Sequence, residues 1–157
     1  MAYKTITLLG DGVRKEALAN GVIYPGYLVY KSSAADFSAH ATAGGSCQTM
    51  FAVEDDLQGN NIDAAYADNA RMLACVFRRG DEVFALLAEG QNASIGSFLE
   101  SAGDGYLQIA ADPDSLTGGQ YNKNIVGIAL EALDLSQSSG IEGAETLAKS
   151  RIKIEIL

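Results

Sequence analysis

One histidine, two cysteines and two groups of carboxylates are the residues of this chain that could do chemistry. His40 stands in a small, polar run, Ser32–Gly45, with the sequence SSAADFSAHATAGG. A metal site needs more imidazoles or thiolates close by, and a nucleophile needs a base beside it. The chain shows neither in a recognisable spacing, so His40 reads as a solvent-exposed loop histidine. Cys47 and Cys75 lie in apolar runs and read as reduced, buried small hydrophobes, not as a disulfide framework. Glu54, Asp55 and Asp56 are consecutive, whereas a calcium loop alternates its oxygen ligands, so they read as a solvated turn. Asp112 and Asp114, in DPDSLTGGQYNKN, read as turn residues as well. The phosphate-cradling pattern GxxxxGK(S/T) is absent. The glycine-rich hairpins of residues 80–105 lack the tip lysine that a biotinyl or lipoyl carrier needs. The expectation is a protein that is not an enzyme, with no catalytic residues, no cofactor and no metal.

Composition sets the class. The chain has 157 residues, 48% of them hydrophobic, enough for one domain with one core. Seventeen glycines against two prolines favour tight turns over a flexible linker. A net charge of -9 repels phosphate backbones, which argues against a nucleic-acid partner. MAYKTITLLGDG lacks the basic start and long apolar core of a signal peptide, and no run approaches the roughly 18 apolar residues that span a bilayer. No membrane is expected, and a soluble protein made in a reducing cytosol is the default.

The elements that would position any site are short. Over Arg71–Ile109 apolar runs are closed by Arg79-Gly80-Asp81, Gly90-Gln91-Asn92 and Gly103-Asp104-Gly105. Runs of that length cut by turn chemistry predict short strands in a compact antiparallel sheet or barrel. Val83, Ala85 and Leu87 alternate with Phe84, Leu86 and Ala88, so the strand is buried on both faces or belongs to a trimer-facing sheet. RIKIEIL over Arg151–Leu157 predicts a half-buried strand with Ile152, Ile154 and Ile156 inward. Cys47–Glu54, Tyr27–Lys31 and Ile125–Leu135 also read as strands. Tyr24-Pro25-Gly26 is a turn signal, Tyr66 an anchor to the core, and Ala144–Lys149 a short helix. Residues 1–21 look different. Tyr3 to Leu8 reads as extended chain, Gly10-Asp11-Gly12 breaks it, and Val13–Asn20 holds good helix formers with Asp11 at the cap. The segment is either an edge strand with a covering helix, or an arm lying on a partner.

The ordered series KTITLLGDGVRKEALANG, VIYPGYLV, FAVEDDLQGNN, the Gly-Asp-x-Val hairpin, the Gly-x-Asn-x-x-x-Gly spacing, the Gly-Asp-Gly turn, IVGIALEALDLS and IKIEIL resembles the capsid decoration (cement) proteins of tailed bacteriophages. The likeness runs over nearly the whole length. It implies a mainly β fold, a compact antiparallel β-barrel or β-tulip with an extended N-terminal arm and one or two short helices. It implies an arm at residues 1–21 and a single β domain at 22–157. It implies a homotrimer on the exterior of the expanded icosahedral shell of the virion, clamping neighbouring major capsid proteins. By matching segment, Tyr3, Leu8, Leu9, Arg14, Lys15 and Glu16 are the expected capsid contacts. The alternatives are a virion-surface receptor or glycan-binding protein, with Tyr106 and Tyr121 at loop tips, and a small-ligand-binding β-barrel.

Overall fold

The structure is a computed structural model, and it describes residues 3–110, 124–137 and 144–157. Asp112, Asp114 and Tyr121 therefore lie outside the described residues. In chain order the strands are β1 (Thr7–Leu9), β2 (Val13–Ala19), β3 (Val29–Lys31), β4 (Asp36–Ala39), β5 (Met50–Val53), β6 (Arg71–Val76) and β7 (Glu82–Leu86). They continue with β8 (Asn92–Ala93), β9 (Phe98–Ser101), β10 (Leu107–Ile109), β11 (Gly127–Ala129), β12 (Leu133–Asp134) and β13 (Arg151–Ile156). A helix, α1 (Ala144–Ser150), precedes the last strand, and a short 3-10 turn covers Asp56–Gln58.

Two sheets carry the fold. One has six strands in the order β1-β7-β13-β11-β9-β10, the other five in the order β3-β4-β2-β6-β5, and β8 pairs with β12. The pairs are antiparallel except β2 with β4. The fold is mainly β, as expected, but the barrel is not closed. The six-stranded sheet curls far enough for Leu87 to bridge Leu107, with the Ala88 N–H donating to the Leu107 carbonyl at 2.7 Å, while its strand order stays open.

The core follows from alternation. Ile152, Ile154 and Ile156 of β13 all point inward, at 1% exposure or less, against Val83, Ala85 and Leu87. Each such side chain removed from water contributes about 1.5–3 kcal/mol. Phe51, Val53, Cys75 and Phe77 meet them from the five-stranded sheet. That sheet is buried on its other face too, where Met50, Ala52, Met72 and Ala74 pack with Ile23, Val29, Phe37 and Tyr66. The second face of β7 is covered by this chain's own residues. Tyr3 stacks edge-on against Phe84 with centroids 5.2 Å apart, and the backbone of Gly26 lies against Leu86 and the Phe84 carbonyl. A trimer interface is not needed to explain why β7 is apolar on both sides.

Several sequence expectations are corrected. Val13–Asn20 is not a helix: Val13–Ala19 forms β2, paired with β6 from Val13↔Val76 to Leu18↔Arg71. Local helix propensity is worth only tenths of a kcal/mol per residue, and six register pairs override it. Residues 7–19 are thus woven into both sheets, β1 against β7 and β2 between β4 and β6. His40 is not solvent-exposed, but 5% accessible at the end of β4. Cys47 and Cys75 are free thiols as expected, although only Cys75 is fully buried. Burial raises the pKa of both thiols.

Candidate functional site

Two surfaces gather polar side chains. The first surface is the flank of β2. Register partners share a face, so Arg14 lies beside Cys75 and Phe51, and Glu16 beside Leu73 and Val53. Phe51, Val53 and Cys75 are buried beneath the six-stranded sheet, yet Arg14, Glu16 and Leu18 on the same face are exposed. β2 therefore overhangs the core as an open shoulder. On it Arg14 reaches Asp56 at 3.8 Å, and Glu16 pairs with Arg71. Leu57, next to Asp56 in the 3-10 turn, is 83% exposed.

The expected contact residues are divided by this geometry. Tyr3 covers Phe84, and Leu8 packs against the main core, so both serve the fold. Leu9 is 58% exposed at the sheet edge. Arg14 and Glu16 come together on the shoulder, whereas Lys15, opposite Ala74, faces the other side of the sheet. Sequence reasoning missed Asp56, Leu57 and Arg71 as members of this surface. Only the β2–β6 register brings Arg71 there, and no local pattern announces it.

The second surface surrounds Tyr106. An open cleft of about 370 Å³ is lined by Ala88, Glu89, Asp104 and Tyr106. Tyr27 packs behind Tyr106 at 5.2 Å between centroids, tilted by 52°, and Tyr24 continues the row at 5.9 Å from Tyr27. Burial, with the carboxylate of Asp104 nearby, raises the pKa of both phenols above the ordinary tyrosine value. The Tyr106 N–H donates to Asp104 Oδ1 at 3.1 Å, which fixes that carboxylate at the rim. Gly105 has φ +87°, and a side chain there would meet the Tyr27 ring at 2.8 Å. Only glycine allows the turn and the packing together.

Two buried polar groups tie these walls to the sheets. The Arg151 guanidinium donates to Asp63 Oδ1 at 2.9 Å and to the carbonyls of Pro25 and Ile62. Desolvation lowers its pKa, and Asp63 opposes that shift. His40 places Nδ1 2.7 Å from Ser101 Oγ and Nε2 3.0 Å from the Ser46 carbonyl. A carbonyl only accepts, so Nε2 carries the proton and Nδ1 accepts from the Ser101 hydroxyl. Ser101 Oγ also accepts from the Gly103 N–H at 3.2 Å. The pair resembles a serine–histidine dyad in distance, but Ser101 is 0% exposed, out of reach of any substrate. It is a clip between β4 and β9. Among the described residues no group of three or more His, Cys, Asp or Glu could hold a metal ion. No helix among them is long and apolar enough to cross a membrane.

Comparison with known proteins gives a likeness in fold. No family model and no curated protein matches the chain. Among solved structures, the chain is similar to the N base of head fiber gp8.5 of bacteriophage phi29, with a TM-score of 0.54. The alignment covers 92% of this chain and 93% of that one, at 12% sequence identity. At that identity the likeness shows a shared fold over nearly the full length of both chains.

Proposed function

We propose that this protein is a structural component of a tailed-phage virion, seated on the exterior of the capsid as a homotrimer that binds the major capsid protein. The observation that carries the reading is the full-length fold likeness to a phage head fiber base. It supports a capsid-associated structural role, and the sequence resemblance to decoration proteins supports the finer one, stabilisation of contacts between neighbouring capsid subunits.

The shoulder of β2 is the proposed contact surface. Arg14, Glu16, Asp56 and Arg71 present both signs of charge around exposed Leu18 and Leu57. Exposed ion pairs of this kind contribute little to folding, so they are available to be exchanged for partner contacts. Alternating charge sets register and orientation, and apolar side chains supply area. Many weak contacts repeated by symmetry then give tight attachment through effective concentration. Leu9 extends the surface along the edge of the six-stranded sheet.

The test is a charge reversal on the shoulder. Arg14→Glu with Arg71→Glu should leave the thermal midpoint nearly unchanged and abolish co-sedimentation with capsids that lack the protein. Retained co-sedimentation would move the contact surface elsewhere.

A further inference from the structure

We propose that the cleft between Glu89, Asp104 and Tyr106 binds an uncharged saccharide. This site does not rest on the capsid reading and stands or falls separately.

The chemistry of the lining is that of sugar recognition. A pyranose has one flat face of C–H bonds and an edge of hydroxyls. The C–H face packs on an aromatic ring, and hydroxyl hydrogens are given to carboxylates, the strongest neutral-donor acceptors a protein has. Tyr106 supplies the ring. Glu89 and Asp104, which line the same cleft, supply the acceptors. Asp104 is already oriented by the Tyr106 N–H. Glu89 is exposed, and among the described residues its carboxylate takes no hydrogen bond or ion pair. A volume of about 370 Å³ suits one or two sugar rings and is at the small end of ligand clefts.

The walls are built before a ligand arrives. The Ala88 N–H donates to the Leu107 carbonyl at 2.7 Å, which joins the turn carrying Glu89 to the strand following Tyr106. The Gly105 carbonyl accepts from Leu28, and the Gly105 N–H donates to the His40 carbonyl. Behind the ring, Tyr27 and Tyr24 prevent Tyr106 from swinging inward. A rigid platform loses little entropy on binding.

Charge and shape narrow the ligand. Two carboxylates in a chain of net charge -9 repel sialylated, sulfated or phosphate-bearing glycans. A quaternary ammonium ion needs ring faces on several sides, whereas Tyr106 is the one aromatic residue among the described residues that line this cleft. A neutral hexose needs one.

The experiment is a titration of the full chain with uncharged mono- to tetrasaccharides built from glucose, galactose and N-acetylglucosamine, followed by amide chemical shifts. Saturable shifts centred on Ala88, Glu89 and Asp104–Tyr106 with at least one probe are expected. Glu89→Ala and Tyr106→Ala should each weaken that binding at least tenfold. Any loss of fold in Tyr106→Ala is controlled by Glu89→Ala, a surface change that leaves the melting midpoint in place. No saturable shift with any probe would overturn the proposal. So would binding that Glu89→Ala leaves intact, or a response to tetramethylammonium alone. No sugar binding by an unaltered chain that still attaches to capsids would refute this site and not the structural role.

Discussion

The Arg151 guanidinium lies 2.9 Å from the Asp63 carboxylate, across 88 residues of chain. The same side chain donates to the Pro25 and Ile62 carbonyls, so one buried cation joins the last strand to two separate connecting segments. Removing it leaves two carbonyls without a donor. Arg151→Met should destabilise the fold by about 1–3 kcal/mol for each buried carbonyl left without a donor. Arg151→Lys should recover only part, because a single ammonium cannot reproduce the forked geometry. Urea unfolding monitored by tyrosine fluorescence measures both.

What the sequence made legible and what it hid divide along range. Ile152, Ile154 and Ile156 declare a strand by period alone, and the structure buries all three. Gly80, Gly90 and Gly105 mark turns, and each has positive φ. Ala17, Leu18 and Ala19 misled, since they favour a helix in isolation and take strand geometry only against Met72 and Arg71. His40 misled for the same reason: its partner Ser101 is 61 residues away. Arg151 looked like the solvated edge of an alternating strand, and its partners lie at sequence distances no local pattern can reach. The shoulder and the tyrosine cleft are both products of register, so their members could be seen one at a time but not as groups.

Deleting residues 1–20 should abolish folding. That deletion removes β1 and β2, strips β6 of a neighbour and exposes Met72 and Ala74. Read as an arm, these residues could be deleted with folding and trimerisation spared and only capsid attachment weakened. Far-UV circular dichroism of the truncated chain decides it: a native strand spectrum with a cooperative melt would show that the remaining strands suffice.

Tyr66 gives the fold an alkaline limit. Its hydroxyl donates to the Val53 carbonyl at 2.6 Å, and burial pushes its pKa up to about 12 from the usual 10. The folded state thus favours the protonated phenol. The stabilisation is complete below pH 10 and fades as pH rises toward 12. The urea midpoint should fall over that interval. Tyr66→Phe should be less stable at neutral pH and show a shallower alkaline decline, unless Tyr27 and Tyr106 dominate the titration.

Gly127 marks a close approach in the six-stranded sheet. A Cβ at this position would lie 2.6 Å from the Glu155 carbonyl on β13. Gly127→Ala should force β11 and β13 apart and cost about 1–3 kcal/mol, the range for overpacked cores. Amide exchange should rise first at Ile154–Ile156. An unchanged unfolding midpoint would mean that the strand shifts to accommodate the methyl group.

The central claim is attachment to a capsid, and direct binding tests it best. Purified protein is mixed with expanded capsids that lack it, and the decorated shells are imaged. Extra trimeric density at the threefold and quasi-threefold positions, with the shoulder of β2 turned toward the shell, is the predicted result. Bare shells, together with a monomer by light scattering, would contradict the account.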